Sequence, residues 1–438
     1  MSGSGIASTF YRPSSPVPIH RQRRIFPPES RLRRLRILIG KAVSSSEAIA
    51  SADNDRALLV VLSTSVFFVG ASEFMLSAML GPLSVAFGKD SVSIAWLISS
   101  YAFAYAIAAP FLGYLSDRVN RSRMLLIALL SFAIDGVGIA FAPTLGIAIA
   151  LRIFGGLASA VIIPTAFALI SEVIPRERHA SAMGAVMLGM TFGIALGPAL
   201  AGMLTEWVGW QAPFLLTSTG CIIAFLVGVM TMPKRPTVVA TRQTRGFKWL
   251  RNSNVTRPLL AKGLWNGTGV SAFLLSGEVL RQRYQLDVAH VGMSATAFGI
   301  GLGIGNLSAG KLRHVTGSEE RSLIAVTSLL IASVTAFNLL PLPMFGALLC
   351  LAAWGMALGA GAPSATTVLA ERSGRDKGVV LATAETLNNV VILSVVPIAS
   401  VALASGTTAM ATAVFLVGLG IGAALTLYDA LVRLPGSE

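Results

Sequence analysis

Residues 145–170 read LGIAIALRIFGGLASAVIIPTAFALI, a run that carries a single charge, Arg152. As a helix rising about 1.5 Å per residue it is about 39 Å long, enough to cross a hydrocarbon core of about 30 Å. Apolar runs of about twenty residues recur on either side of it. They lie near 57–80, 92–115, 124–143, 180–204 and 212–232, and again near 259–280, 288–309, 322–341, 343–368, 379–404 and 408–430. Lipid offers backbone groups no hydrogen-bond partner, so these runs are predicted to form twelve transmembrane helices in an all-α polytopic membrane protein. Of 438 residues, 54% are hydrophobic and 12% charged, about half the charge of a soluble domain. That balance excludes a cytosolic enzyme and a disordered chain. Cys221 and Cys350 both sit in apolar runs, which gives neither a disulfide framework nor a metal-ligand spacing.

The net charge of +14 is distributed unevenly. With the N-terminal segment taken as inside, 30 of the 34 Lys and Arg residues fall on it and on the loops of the same side, Lys262 being counted with the linker before the seventh span. The opposite loops hold Lys89, Arg281 and Arg283. Positive charge stays cytoplasmic, so both termini are expected in the cytoplasm of a bacterial inner membrane, and nucleic acid is not needed to explain the charge. The expected organisation is a basic, disordered tail (1–56), a six-helix half (57–232), a basic linker (233–258), a second six-helix half (259–432) and a short end (433–438). The tail suits anionic lipid headgroups, and its Arg- and Ser-rich start also has the look of an organelle transit peptide; no secretory signal is read in it.

The two halves echo one another. Pro164-Thr165-Ala166 through Glu172 to Arg176 and Arg178 returns 199 residues later as Pro363-Ser364-Ala365 through Glu371 to Arg375 and Lys377. Gly113-Tyr114-Leu115 returns after 197 residues as Gly310-Lys311-Leu312. Such repeats are expected of a transporter that places its central site between two halves.

Two motifs are specific. After the second span the chain reads Gly113-Tyr114-Leu115-Ser116-Asp117-Arg118-Val119-Asn120-Arg121, and in the fifth span Gly184, Gly193, Gly197, Pro198, Ala201 and Gly202 are spaced as g-x8-G-x3-G-P-x2-G-G with one Gly replaced. Together they resemble the major facilitator superfamily, and within it the twelve-span drug:proton antiporters that include drug- and sugar-efflux permeases. Arg152 and Gly156 resemble the R-x-x-q-G motif of proton-linked members, with Gly155 at the q position, and Glu73 and Pro82 resemble the first span of efflux permeases. The resemblance implies a cytoplasmic gate at Gly113, Asp117, Arg118 and Arg121. It also marks Gly184, Gly193, Gly197, Pro198 and Gly202 as an antiporter feature. Physically, Asp117 can bridge to a neighbouring Arg, and the span-five glycines with Pro198 suit a close, bent helix seam between the halves. At the position repeating Asp117 stands His314.

Ionisable groups within spans are costly unless paired or wet, and they read as functional. Glu73, Asp135 and Arg152 are placed by their distances from span ends at one depth, about 12 Å from the outer surface. One cation facing two carboxylates leaves one carboxyl to hold a proton; we expect this to be Glu73, with Asp135 holding Arg152. A purely structural triad is the competing reading. Glu385, Asn388 and Asn389 add polar groups to the eleventh span, Glu278 lies near Arg281 and Arg283, and Trp265 and Asn266 either meet substrate or pack. The Gly418–Ala423 run lacks the strand that a dinucleotide site needs, and no G-x-x-x-x-G-K-S/T phosphate loop occurs. The expected function is therefore secondary active export of a small molecule against protons by a monomer in lipid, with no cofactor and no enzymatic activity. Uptake by the same fold, and a non-transporting receptor, are the alternatives.

Overall fold

The computed structural model describes residues 55–116, 119–232 and 247–432. The basic tail, Asp117, Arg118, most of the 233–258 linker and the last six residues lie outside them. Thirteen α-helices and three short 3-10 turns make up the described chain, with no strand among the described residues. In order they are α1 Asp55–Phe74, α2 Leu76–Phe87, α3 Ser91–Ser116, α4 Arg121–Ala140, α5 Leu145–Val173, α6 His179–Trp207 and α7 Ala212–Thr231. Then come α8 Ser253–Tyr284, α9 Val288–Thr316, α10 Glu319–Leu339, α11 Met344–Ser373, α12 Lys377–Ala404 and α13 Thr408–Val432. The first crossing is shared by α1 and α2, which break at Met75.

Eleven helices are long and apolar enough to cross a membrane on composition alone. The exception among the long ones is α8, the seventh crossing. It carries Lys262, Asn266, Glu278 and many Gly, Ser and Thr residues, yet nearly every position from Leu259 to Leu280 is buried. It packs against α2, α11, α12 and α13, so its polar face meets protein and not lipid.

Polar side chains start the helices where the chain turns. Asn120 accepts from Arg123 N at α4, Thr144 from Ile147 N at α5, and Ser318 from Arg321 N at α10. Asn120 replaces a signature glycine, and capping gives that departure a local reason. Asp287 caps α9 by accepting from His290 N at 2.8 Å, and this bond holds its carboxyl below the ordinary carboxylate value. A depressed value means that the cap's contribution is complete above the unfolded-state pKa and fades only as pH falls through the lower folded one. Asp287→Asn should therefore flatten the acid limb of the stability profile, read by thermal unfolding in detergent across acidic pH.

Between the halves, α6 packs on α9, α3 on α12, and α2 on both α8 and α9. Glycines set how closely α6 and α9 approach. A Cβ on Gly202 would lie 2.5 Å from the Val288 carbonyl oxygen, one on Gly292 3.0 Å from the Pro198 carbonyl carbon, and one on Gly299 3.0 Å from Ala195 N. The contact thins to Asn306 Nδ2 and Thr191 Oγ1 at 3.4 Å. Eighteen residues make five helical turns, so Gly184 shares a face with Gly202, and Gly310 with Gly292. A Cβ on Gly184 or Gly310 would meet nothing within 4 Å. The two helices are thus sealed at one end and splayed at the other. At the sealed end Glu206 Oε2 accepts from Ala289 N at 3.1 Å.

An aromatic cluster packs between the halves farther in, with Phe298 ten residues along α9 from Val288. Phe273 and Phe298 stack with centroids 3.7 Å apart, Trp354 meets both edge-on, and Phe74 of the first half lies 5.8 Å from Phe273. Replacing Gly299 by Val would drive a branched side chain into the α6 backbone. We expect a loss of about 1–3 kcal/mol or a shift toward opening of this end, read by thermal unfolding and by accessibility of a cysteine in place of Ala289, which is buried at the same seam.

Candidate functional site

Helix α5 brings Arg152 into the interior with 1% exposure, and Asp135 on α4 is 2% exposed. Their nearest charged atoms, Arg152 Nη1 and Asp135 Oδ2, are 3.8 Å apart. The guanidinium also donates to Ser72 Oγ at 3.1 Å and Ser72 O at 3.4 Å, just before the α1–α2 break, and to Leu97 O at 3.5 Å. Its other face lies over the Tyr101 ring, 4.5 Å from the centroid. One arginine thereby ties α1, α3 and α4 to α5.

Asp135 fits because residue 155 is glycine. A Cβ there would sit 2.5 Å from Asp135 Cγ, so the position that carries a larger residue in the R-x-x-q-G motif is here vacated for a carboxylate. Gly155→Ala should displace Asp135 and cost about 1–3 kcal/mol. Gly146→Ala on the same helix, where a Cβ meets nothing within 4 Å, is the neutral control in the same unfolding measurement.

Glu73 is half-buried on α1 beside Ser72 and makes no hydrogen bond or ion pair among the described residues. It lies within electrostatic reach of Arg152 on one side and of Glu385 on the other. The first crossing does not end near residue 80, since α2 runs on to Phe87, and the depth argument for Glu73 fails on that point. The adjacency to Arg152 follows instead from the Ser72 contacts.

The second half supplies a pair that hydropathy did not separate from the linker. Lys262 is buried on α8, and its Nζ is 2.9 Å from Glu385 Oε1 on α12. It is an interior charge and not a loop charge. Asn388 Oδ1 accepts from Asn266 Nδ2 at 2.7 Å, whereas Asn389 turns back to donate to the Glu385 backbone carbonyl. Trp265 is fully buried and packs, with its ring near Gly361 and its backbone against Gly422. Tyr105, a turn from Tyr101 with ring centroids 6.5 Å apart, lies within electrostatic reach of both Glu385 and Glu73. The two groups are thus linked electrostatically through Glu73 and Tyr105, and together they comprise two cations and three carboxylates on α1, α4, α5, α8 and α12.

The motif residues divide by face. Gly193 and Gly197 pack on α1 within the first half, a Cβ on Gly197 lying 2.7 Å from Ala71 Cα. Only Gly202 and the Pro198 backbone reach α9, and Gly184 stands in open space. The expected single seam between the halves is therefore two seams on opposite faces of α6, one of which presses the Glu73 helix into place. At the gate, Gly113 lies in the last turns of α3, and Arg121 pairs with Glu172 at the end of α5. In the second half Glu320 on α10, 199 residues after Arg121, pairs at 2.8 Å with Arg372 on α11, the residue next to Glu371, which repeats Glu172. Glu278 pairs with Arg281 at 2.6 Å, and Arg283 donates to the Phe337 and Asn338 carbonyls that end α10.

Lys262, Ser72 and Tyr101 escaped sequence reading, and Gly155 reads only as a departure from its motif. Of the first three only Lys262 left a signal, a cation four residues inside a stretch otherwise fit to span.

The Major Facilitator Superfamily pattern matches residues 62–394. An uncharacterised MFS-type transporter of Bacillus subtilis, YwoD, is 35% identical over 160 residues, 36% of this chain and 35% of that one. The putative multidrug resistance protein MdtD of Yersinia enterocolitica is 27% identical over 225 residues, 51% of this chain and 48% of that one. The chain thus spans between 35% and 48% of the length of these relatives. A bacterial homologue of the human lysosomal transporter Spinster, solved inward-facing and occupied, superposes with a TM-score of 0.66 over 86% of this chain and 96% of its own at 15% identity, a likeness of fold. Matched from the middle of α1 into α12, the chain belongs to the Major Facilitator Superfamily of membrane transporters.

Proposed function

We propose that the protein is a proton-coupled exporter of small cationic or polar amphipathic molecules, working by alternating access as a monomer in a bacterial inner membrane with both termini cytoplasmic. The charge balance of the interior groups carries this reading: Glu73, Asp135 and Glu385 stand against Arg152 and Lys262. A surplus anion in a poorly hydrated layer is costly until it takes up a proton or a cationic group. Because Glu73 accepts one or the other, the two fluxes exclude each other and become coupled. The splayed ends of α6 and α9 face the cytoplasm in the orientation given by the basic loops, and that is where an exporter loads. The name of the MdtD relative supports drugs as the cargo class.

The test is expression in a strain stripped of its own exporters, challenged with a panel of organic cations with and without a protonophore. Growth protection that disappears with the protonophore is expected. Protection indifferent to it, or accumulation of the cation inside the cells, would overturn the proposal.

A further inference from the structure

The two buried ion pairs are built differently. Arg152 and Asp135 are both sealed, with side-chain exposures of 1% and 2%. Lys262 is sealed at 5%, but its partner Glu385 is 48% exposed. The carboxylate is therefore the accessible member of the pair and the ammonium the enclosed one. Lys262 is also fixed in place, because α8 and α12 are in contact beside it: a Cβ on the next residue, Gly263, would lie 2.8 Å from Leu387 Cβ. Cargo can reach Glu385 but cannot displace the cation that neutralises it. The titratable and charged groups around this space are Glu73 on α1, Tyr101 and Tyr105 on α3, Asp135 on α4, Arg152 on α5, Lys262 on α8 and Glu385 on α12.

We propose that Lys262 is a tethered counter-ion that sets the charge capacity of the transport site. By balancing the Glu385 carboxylate charge it leaves one cation equivalent to be supplied at Glu73, either one proton or one monovalent ammonium or phosphonium group. This rests on the proton-for-cation exchange proposed above and adds its stoichiometry. Capacity then follows charge alone. Loss of the Lys262 charge raises it to two, loss of the Glu385 charge lowers it to none, and loss of both restores one.

The experiment measures protons released when the purified full chain, in detergent and weakly buffered near neutral pH, is saturated with tetraphenylphosphonium or with the dication methyl viologen. Wild type is expected to release one proton per bound tetraphenylphosphonium. K262Q should release two with methyl viologen and bind it at least tenfold more tightly than wild type. E385Q should release none and bind tetraphenylphosphonium at least tenfold more weakly. K262Q/E385Q should return to one proton. Each single change strands a buried group, whereas the double change removes both partners, so the double variant and E385Q carry the test if K262Q does not fold. K262Q with wild-type stoichiometry and dication affinity overturns the proposal, leaving Lys262 a packing residue. A double variant as inactive as E385Q overturns it too, because Glu385 would then be a direct cargo ligand. If wild type releases no proton with either cation and matches Glu73→Gln, the exchange at Glu73 fails first and the capacity rule falls with it.

Discussion

Glu73→Gln should yield a folded transporter that no longer responds to a proton gradient. The amide has the shape of the protonated acid and carries no charge, so it imitates one state of the exchange permanently. Lost with the charge is a charge-assisted contact to cationic cargo of about 1.5–3 kcal/mol, or roughly ten- to 150-fold in affinity. Folding should be spared, because no hydrogen bond or ion pair holds Glu73 among the described residues. The measurement is uptake of tetraphenylphosphonium into inside-out vesicles with and without an imposed pH difference. Uptake in the variant that still follows the gradient as in wild type would remove Glu73 from the mechanism, and the three-carboxylate, two-cation layer would become a structural one.

Arg152→Met should be the most damaging single change to the fold itself. It leaves Asp135 as a buried anion 2% exposed, with Oδ1 already lacking a partner among the described residues. It also removes the donors to Ser72 and Leu97 that tie α1 and α3 to α5. Breaking one side of a buried pair costs about 3–5 kcal/mol, a large share of the stability of a typical domain. Low membrane yield and a sharply lowered unfolding temperature in detergent are expected. Adding Asp135→Asn should recover part of the loss, because the stranded charge is gone while the lost hydrogen bonds are not. Arg152→Lys should fall between, since a single ammonium cannot reach all three acceptors of the planar fork or stack on Tyr101. A double variant no better than Arg152→Met would mean that the pair with Asp135, whose charged atoms are 3.8 Å apart, contributes little and that the Ser72 and Leu97 contacts carry the stabilisation.

The ion pairs Arg121–Glu172 and Glu320–Arg372 bear on how the repeat is read. The internal echo was legible as letters around Pro164 and Pro363 and carries Glu172 onto Glu371, yet in the second half the link from the start of one helix to the end of the next is made by the neighbouring Arg372. A pair in which one member changes sign and the other shifts by a position leaves no similarity for an alignment of the halves to find, although Coulomb attraction between neighbours is unchanged.

The apolar runs alone determined that the chain is a bundle of membrane helices, and their lengths determined where the crossings fall, because lipid tests every residue of a span against the same solvent. The cost of an ionisable group in that solvent also made Glu73, Asp135 and Arg152 stand out unaided. Tertiary structure decided the rest. Whether a polar helix such as α8 spans depends on which neighbours enclose it, and whether Lys262 is a loop charge or an interior one depends on Glu385, 123 residues away in the chain. Likewise the span-five glycines are regularly spaced in sequence, but only the helices packed on either side of α6 determine which of them hold α1 and which meet α9. A partner across a helix interface is set by close packing of surfaces distant in sequence, and no local pattern of residues encodes it.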